Sequence, residues 1–157
     1  MTYYRTVNGK LRTRISCLHV SHYSLDRLFL LWNTIVVRWD SEYTDEFGGW
    51  WNSLSESEQS KVDAHVRALE TWGPHLAHPM SSGVKGSRHA HMRELRVQVQ
   101  GCPFRVLYAF NPKRNAILLV GGDKTGNERW YEVNVPIADR LYDEHLEELK
   151  KEGAGNG

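Results

Sequence analysis

Residues 92–122 read MRELRVQVQGCPFRVLYAFNPKRNAILLVGG, and this stretch decides the fold. Three apolar-rich runs of strand length are separated by turn residues, which predicts an antiparallel meander of three strands. Side chains alternate between the two faces of a strand, so Leu95, Val97 and Val99 share one face of the first strand and Arg96 lies on the other. The meander therefore has one apolar face and one face that carries charge.

The pairing of the first two strands is predicted from their apolar faces, which should coincide across the sheet. Pairing Gln100 with Arg105 across a four-residue loop, residues 101–104, achieves this coincidence. Arg96 and Arg105 then share the polar face but lie four residues apart along the sheet, roughly 13 Å at the usual rise per residue.

The second turn contains NPKRN and predicts the pairing of the third strand. The same matching of apolar faces sets Ala109 opposite Ile117, Leu107 opposite Leu119 and Arg105 opposite Gly121. Lys124 follows the end of this third strand, so it is expected at the sheet edge where Arg105 lies.

The segment LLVGGDKTGNERW, residues 118–130, superficially resembles a phosphate-binding loop of nucleotide hydrolases. That loop needs glycine five residues and one residue before its Lys-Thr pair, and this chain has Leu119 and Asp123 there. Because these glycines are missing, the segment is not the phosphate-binding loop of a nucleotide hydrolase. The pair Gly121–Gly122 is predicted to end the strand and let the chain turn, and Asp123 is predicted to cap the start of a helix or to form an ion pair with Lys124.

The elements around the meander follow from hydrophobic periodicity. The pattern of residues 34–40, TIVVRWD, predicts a short strand. Residues 76–91 are predicted to form a polar loop. Ser55 and Glu58 form a capping box for the second of two amphipathic helices, which Gly73–Pro74 stops. A last helix is expected near residues 136–151. The apolar faces of the first two helices are predicted to consist of Phe47, Trp50, Trp51 and Leu54, and of Val62, Val66, Leu69 and Trp72.

The composition indicates one globular domain in a reducing cytoplasm. The chain has 157 residues, 40% hydrophobic and 25% charged, with a net charge of only +1. Cys17 and Cys102 provide neither a disulfide framework nor metal-ligand spacing. The apolar run LFLLW, residues 28–32, is far shorter than the ~20 residues of a spanning helix, so no membrane partner is expected.

The N-terminal and C-terminal ends differ from the central region. Residues 1–33 carry scattered basic residues and no clear caps, and three interpretations stay open for them: a flexible extension, a partner-binding arm, or translation from upstream of the true start. We predict a domain over residues 34–151 and a disordered tail over residues 152–157.

Four histidines, His75, His78, His89 and His91, fall within or beside the polar loop. Their spacing and the absence of a nearby cysteine do not match the usual zinc motifs. We therefore expect solvated or RNA-facing histidines rather than metal ligands, and no cofactor.

The ordered motifs ELR, FRVLYAF and LLVGGDKTG, between a strand with two helices and a final helix, resemble the RelE/HigB superfamily of bacterial type II toxins, specifically its phage-derived HigB-like branch. The resemblance covers residues 36–150. It implies an α+β, RelE-like fold in which a short N-terminal strand and two amphipathic helices pack on an antiparallel meander with a C-terminal helix.

The same resemblance implies a function. Such toxins are metal-independent endoribonucleases that cut messenger RNA, usually on the ribosome, and a helix-turn-helix antitoxin silences them. Matching positions assign Arg105 and Lys124 to the scissile phosphate and Arg96 to a flanking phosphate. The remaining residues expected to bind substrate or to transfer protons are Lys85, Arg88, His89, His91, Glu94 and Tyr131.

Two other functions stay open at this point. ParE-like relatives share the fold but inhibit DNA gyrase without catalysis, and the chain could also be an inactive remnant that binds antitoxin. Arg96 and Glu94, two residues apart, could simply support each other on the sheet surface. Arg105 lies in an otherwise apolar strand, which favours a functional role for it.

Overall fold

The fold is given by a computed structural model that describes residues 38–154 and the two strands Tyr3–Val7 and Leu11–Ile15. These two strands are β1 and β2. The other strands are β3 Ser41–Tyr43, β4 Ser81–Gly83, β5 Arg93–Val99, β6 Cys102–Phe110 and β7 Ala116–Asp123. The helices are α1 Asp45–Ser53, α2 Glu56–Trp72 and α3 Trp130–Ala154, with a short 3₁₀ helix at Gly73–His75.

The strands described form one sheet with the order β1-β2-β3-β7-β6-β5-β4. The β3–β7 pair is parallel, and the neighbouring pairs on either side of it are antiparallel. The five strands β3 to β7 thus form a mixed sheet with α1, α2 and α3, which confirms the α+β class. The strands β1 and β2 were not predicted.

Two hydrophobic layers cover the two faces of the sheet. Leu95, Val97 and Val106 pack with α1 and α2 on one face. Leu107 and Ala109 pack with α3 on the other face. The predicted assignment of side chains to faces is therefore confirmed, and Arg105 is placed on the α3 face by alternation along β6.

The start of each N-terminal helix is fixed by a side-chain cap. Thr44 accepts a hydrogen bond from the Phe47 N–H, and Ser55 with Glu58 forms the predicted capping box. The predicted burial of Trp72 is wrong, since this side chain is 61% exposed at the last residue of α2. The predicted strand over residues 34–40 is also displaced: residues 38–40 are irregular, β3 begins at Ser41, and residues 34–37 lie outside the described part.

The predicted register between the first two meander strands is wrong. Val99 pairs with Cys102, so the turn contains only Gln100 and Gly101. Both turn residues have positive φ, 48° and 87°, as a type I′ hairpin requires. The error shifts the pairing by four residues, an even number, which explains why the faces were right although the partners were wrong.

The register between β6 and β7 is partly as predicted. Ala109 pairs with Ile117, but an irregularity between Leu107 and Tyr108 shifts the rest of the ladder by one residue. Arg105 consequently lies opposite Gly122 and not opposite Gly121.

Two further boundaries differ from the sequence prediction. The polar loop contains the short strand β4, whose Ser82 pairs with Glu94. The helix α3 begins six residues before Pro136, because Trp130 and Val135 are buried against the sheet and fix the first turns. It also extends to Ala154, so the tail predicted from residue 152 is helical over its first three residues, and residues 155–157 lie outside the described part.

In the described part of the chain, α3 and the other helices are too short or too polar to cross a bilayer. The predicted apolar run at residues 28–32 lies outside that part.

His145 on α3 is buried in a neutral state. The Asn115 N–H donates to Asn111 Oδ1 over 2.9 Å, which turns the Asn111 amide so that its nitrogen faces His145 Nε2 at 3.0 Å. Burial lowers the pKa of His145 below 6.5, although Glu42, Glu148 and Glu152 oppose this shift. A lowered pKa means that the unfolded chain binds the proton more tightly than the folded chain.

We therefore expect His145 to make the melting temperature fall as the pH is lowered below about 6.5, with the full contribution to stability present above that value. His145→Gln should show a shallower fall between about pH 7.5 and pH 5. Thermal unfolding followed by circular dichroism measures both slopes, and equal slopes in the two proteins would contradict this role.

Candidate functional site

Five side chains meet on the α3 face of the sheet, near the first residues of β6. They are Glu94 and Arg96 on β5, Arg105 on β6, Lys124 after β7 and Tyr131 in α3, and we call them the basic cluster. The correct register pairs Arg96 directly with Arg105. The Lys124 N–H donates to the Pro103 carbonyl over 3.0 Å, which holds the chain after β7 beside the start of β6.

Glu94 lies at the centre of the basic cluster and is 6% exposed. Tyr131 Oη donates to Glu94 Oε2 over 2.6 Å, and Ser82 Oγ donates to Oε1 over 2.8 Å. A buried carboxylate needs such donors because ionised groups lose their hydration inside a protein. The two hydroxyls come from β4 and α3, so three elements fix this carboxylate.

The two arginines approach Glu94 less closely. Arg105 Nε lies 3.7 Å from Oε2, and Arg96 Nε lies 3.9 Å from Oε1. Arg105 donates from Nη1 to the Phe104 carbonyl over 2.9 Å, but its buried Nε has no hydrogen-bond partner in the described part of the chain. The Arg105 side chain is 10% exposed, so an unused donor here is costly unless a ligand takes it.

The charge of the basic cluster is positive, with three cationic side chains around one carboxylate. The Arg96 side chain is 36% exposed, and Lys124 is half-buried. Directly opposed like charges destabilise a sheet, and Glu94 only partly offsets this repulsion. The arrangement is suited to bind an anion, and a guanidinium fork matches the oxygen geometry of a phosphate.

Tyr131 is a hydroxyl donor at neutral pH. Burial raises the pKa of Tyr131, the hydrogen bond to Glu94 raises it further, and Arg105 opposes the shift. Lys124 Nζ lies 5.5 Å from the centre of the Tyr131 ring, a cation–π distance. Tyr131 thus connects Lys124 with the Glu94 carboxylate.

The glycine pair before Lys124 has a different role from the predicted one. Gly121 and Gly122 lie inside β7 and do not end it. A Cβ atom on Gly121 would overlap the Trp50 ring on one face, and a Cβ atom on Gly122 would lie 2.6 Å from Trp130 Nε1 on the other. Asp123 accepts hydrogen bonds from Thr125 N and Oγ1, at 2.8 and 2.6 Å, and so caps the following turn.

Other residues expected to bind substrate form a separate group. Arg88 and His89 pair with Asp143, and His91 Nε2 lies 3.1 Å from Tyr142 Oη. Tyr142 lies eleven residues beyond Tyr131 on α3, roughly 16 Å along the helix axis. Lys85 is exposed in the connection between β4 and β5.

The structure therefore brings Arg96, Arg105, Lys124 and Tyr131 together and places Arg88, His89 and His91 elsewhere. Residues 38–154 contain no group of three or more His, Cys, Asp or Glu side chains arranged to hold a metal ion.

From the sequence, Glu94 was expected only as one of several side chains able to transfer a proton, and Ser82 was not expected at the site. Alternation did place Glu94 on the same face as Arg96, which was a usable signal for a shared site. Ser82 carried no comparable signal because the three-residue strand β4 is too short to show a pattern.

Comparisons with known proteins identify a family and two similar proteins. The sequence model of a family described as phage-derived, Gp49-like proteins matches residues 49–143. Two similar curated proteins come from Mycobacterium tuberculosis (strain ATCC 25618 / H37Rv), and the names of both, HigB2 and HigB3, designate them as candidate toxins.

HigB2 is 36% identical over 128 residues, which cover 80% of this chain and 62% of HigB2. The chain thus spans less than two thirds of that relative. HigB3 is 44% identical over 92 residues, which cover 58% of this chain and 79% of HigB3. No solved structure matches the chain.

Proposed function

The chain belongs to the family of phage-derived, Gp49-like proteins, and from this premise we propose that it is the toxin of a type II toxin–antitoxin system that acts as a metal-independent endoribonuclease on messenger RNA. The family assignment confirms the resemblance to the phage-derived HigB-like branch. The names of the two relatives support a toxin, and the ribonuclease activity is our inference from the basic cluster.

The observation that carries the proposal is the buried guanidinium of Arg105, whose Nε has no hydrogen-bond partner among the described residues and whose neighbours include two more cations. In the proposed reaction an RNA 2′-hydroxyl attacks the adjacent phosphorus. The O2′–H and P–O5′ bonds break, the O2′–P and O5′–H bonds form, and the phosphate oxygens carry extra negative charge in the transition state. Preorganised cationic donors stabilise that charge without having to reorient.

The corrected register changes the proposed division of roles. The Cβ atoms of directly opposed residues lie roughly 5 Å apart, so the Arg96 and Arg105 side chains can address the same phosphate. The flanking phosphate expected for Arg96 fitted the predicted separation of about 13 Å, which the structure does not have. We now propose that Arg96, Arg105 and Lys124 together bind the scissile phosphate.

The side chains considered for proton transfer differ in their distance from the basic cluster. Of the four side chains considered, Glu94 and Tyr131 belong to the basic cluster, and His89 and His91 lie with Tyr142 further along α3. That Lys85, Arg88, His89 and His91 contact more distant parts of the RNA stays a prediction.

The remaining parts of the proposal follow the family resemblance. They are a RelE-like fold, a toxin domain over residues 34–151, action on ribosome-bound messenger RNA in the cytoplasm, and inhibition by a helix-turn-helix antitoxin. The resemblance leaves gyrase inhibition as the competing function, because a shared fold does not decide function.

Induction of the gene in a bacterial host tests the proposal against gyrase inhibition. We expect arrested growth with new RNA 5′ ends inside coding regions, and the Arg105→Ala variant should produce neither. An SOS response without new RNA ends would instead support gyrase inhibition and refute the ribonuclease.

A further inference from the structure

The Glu94 carboxylate is bound tightly by hydroxyls and loosely by arginines. Its contacts to Tyr131 and Ser82 are 2.6 and 2.8 Å long, whereas those to Arg105 and Arg96 are 3.7 and 3.9 Å. Arginine and carboxylate normally form hydrogen bonds of about 2.7–2.9 Å, often two in parallel. In this site the carboxylate accepts its hydrogen bonds from two neutral hydroxyls, although two charged guanidinium groups, which are stronger donors, lie beside it.

This geometry separates two effects of Glu94. Its charge still reduces the repulsion between Arg96 and Arg105, because Coulomb attraction acts well beyond hydrogen-bond distance in a buried site. Its oxygens do not take the Arg105 Nε–H, which has no hydrogen-bond partner among the described residues. A short Glu94–Arg105 hydrogen bond would compete directly with a bound anion.

We propose that Tyr131 and Ser82 are positioning residues that hold the Glu94 carboxylate back from the two arginines. Tyr131 holds Oε2 beside Arg105, and Ser82 holds Oε1 beside Arg96, so that both guanidinium groups stay available to a phosphodiester. The inference rests on the proposed function in taking RNA as the source of that anion. On this inference Tyr131 raises the affinity for phosphate by restraining Glu94, and it does not transfer a proton itself.

The two roles of Tyr131 predict different coupling with Glu94. If Tyr131 restrains Glu94, its hydroxyl matters only while residue 94 carries a charge that can pair with Arg105. If Tyr131 contacts RNA or donates a proton, loss of its hydroxyl should act regardless of the charge at residue 94. A double-mutant cycle separates these possibilities.

The test measures binding of a fully 2′-O-methylated oligoribonucleotide, which lacks the attacking hydroxyl and is not cleaved. We expect Tyr131→Phe to weaken binding about tenfold, the size of one hydrogen bond to a charged group. In a Glu94→Gln background the same substitution should have no effect. Tyr108→Phe, which loses a buried hydroxyl in the hydrophobic layer on the opposite face of the sheet, is the matched control and should bind like the wild type.

A second measurement covers the case in which Glu94→Gln does not fold. Ser82→Ala should also weaken binding, because it frees Oε1 to pair with Arg96. In Tyr131→Phe the Arg105 Nε–H resonance should move downfield as its hydrogen bond to Glu94 Oε2 forms. Unchanged binding in folded Tyr131→Phe, an unchanged Arg105 resonance, or an equal loss in the Glu94→Gln background would overturn the inference.

The same assays separate this inference from the proposed function. A wild-type protein that shows the expected binding pattern but leaves messenger RNA intact, both naked and during translation, would refute the ribonuclease and retain the restraint on Glu94. A wild-type protein that binds neither the oligonucleotide nor inorganic phosphate would refute both.

Discussion

Replacing Arg105 with alanine is expected to lower the rate of RNA cleavage about 100-fold to 1000-fold, the usual loss when one preorganised donor to a developing oxyanion is removed. Arg105 offers the buried guanidinium of the basic cluster, and its Nε is free of hydrogen-bond partners among the described residues. Cleavage of a defined messenger RNA under single-turnover conditions measures the effect. A cleavage rate equal to that of the wild type in a folded Arg105→Ala protein would show that the site is elsewhere.

Two further variants separate catalysis from stability. Arg105→Lys keeps a positive charge beside buried Glu94 and should fold, but it lacks the planar fork and should stay well below wild-type activity. Arg67→Ala is the matched control, because Arg67 pairs with Asp63 on α2, which packs on the opposite face of the sheet. It should cleave like the wild type.

Replacing Gly121 with alanine is expected to destabilise the fold by about 3 kcal/mol, the upper part of the usual range for overpacking a core. The new methyl group would overlap the Trp50 ring, which packs between Phe47 and Phe104. For a chain of 157 residues the melting temperature should fall by roughly 6–12 °C.

Gly49→Ala is the matched control for this substitution. Gly49 lies in α1, and nothing stands within 4 Å of its added Cβ atom. Alanine there should raise stability by up to about 1 kcal/mol, because glycine costs backbone entropy in a helix. Differential scanning calorimetry on both variants decides the matter: a Gly121→Ala protein that melts with the wild type would mean that Trp50 does not pack on β7 as described.

Local chemistry made much of the fold predictable from the sequence. The Ser55–Glu58 capping box, the apolar faces of α1 and α2 and the alternation along β5 and β6 all depend on residues close in sequence. The turn at Gln100 and Gly101 was missed because matching apolar faces accepts any even shift, and only the positive φ of both residues distinguishes the shorter loop.

The candidate site depended on features that local patterns do not encode. Alternation placed Arg96 and Arg105 on one face, but their direct pairing follows from the short turn. The position of Arg105 opposite Gly122 follows from an irregularity inside β6 and β7. Ser82 reaches Glu94 only because β4 joins the sheet edge, a tertiary contact that no spacing in the sequence reveals.

The most direct test of the central claim is the chemistry of the RNA ends that the purified protein produces. Attack by the 2′-hydroxyl predicts fragments with a 2′,3′-cyclic phosphate on one side of each cut and a 5′-hydroxyl on the other, whether the messenger is naked or being translated. Fragments with 5′-phosphate ends, or messenger RNA left intact under both conditions, would contradict the account.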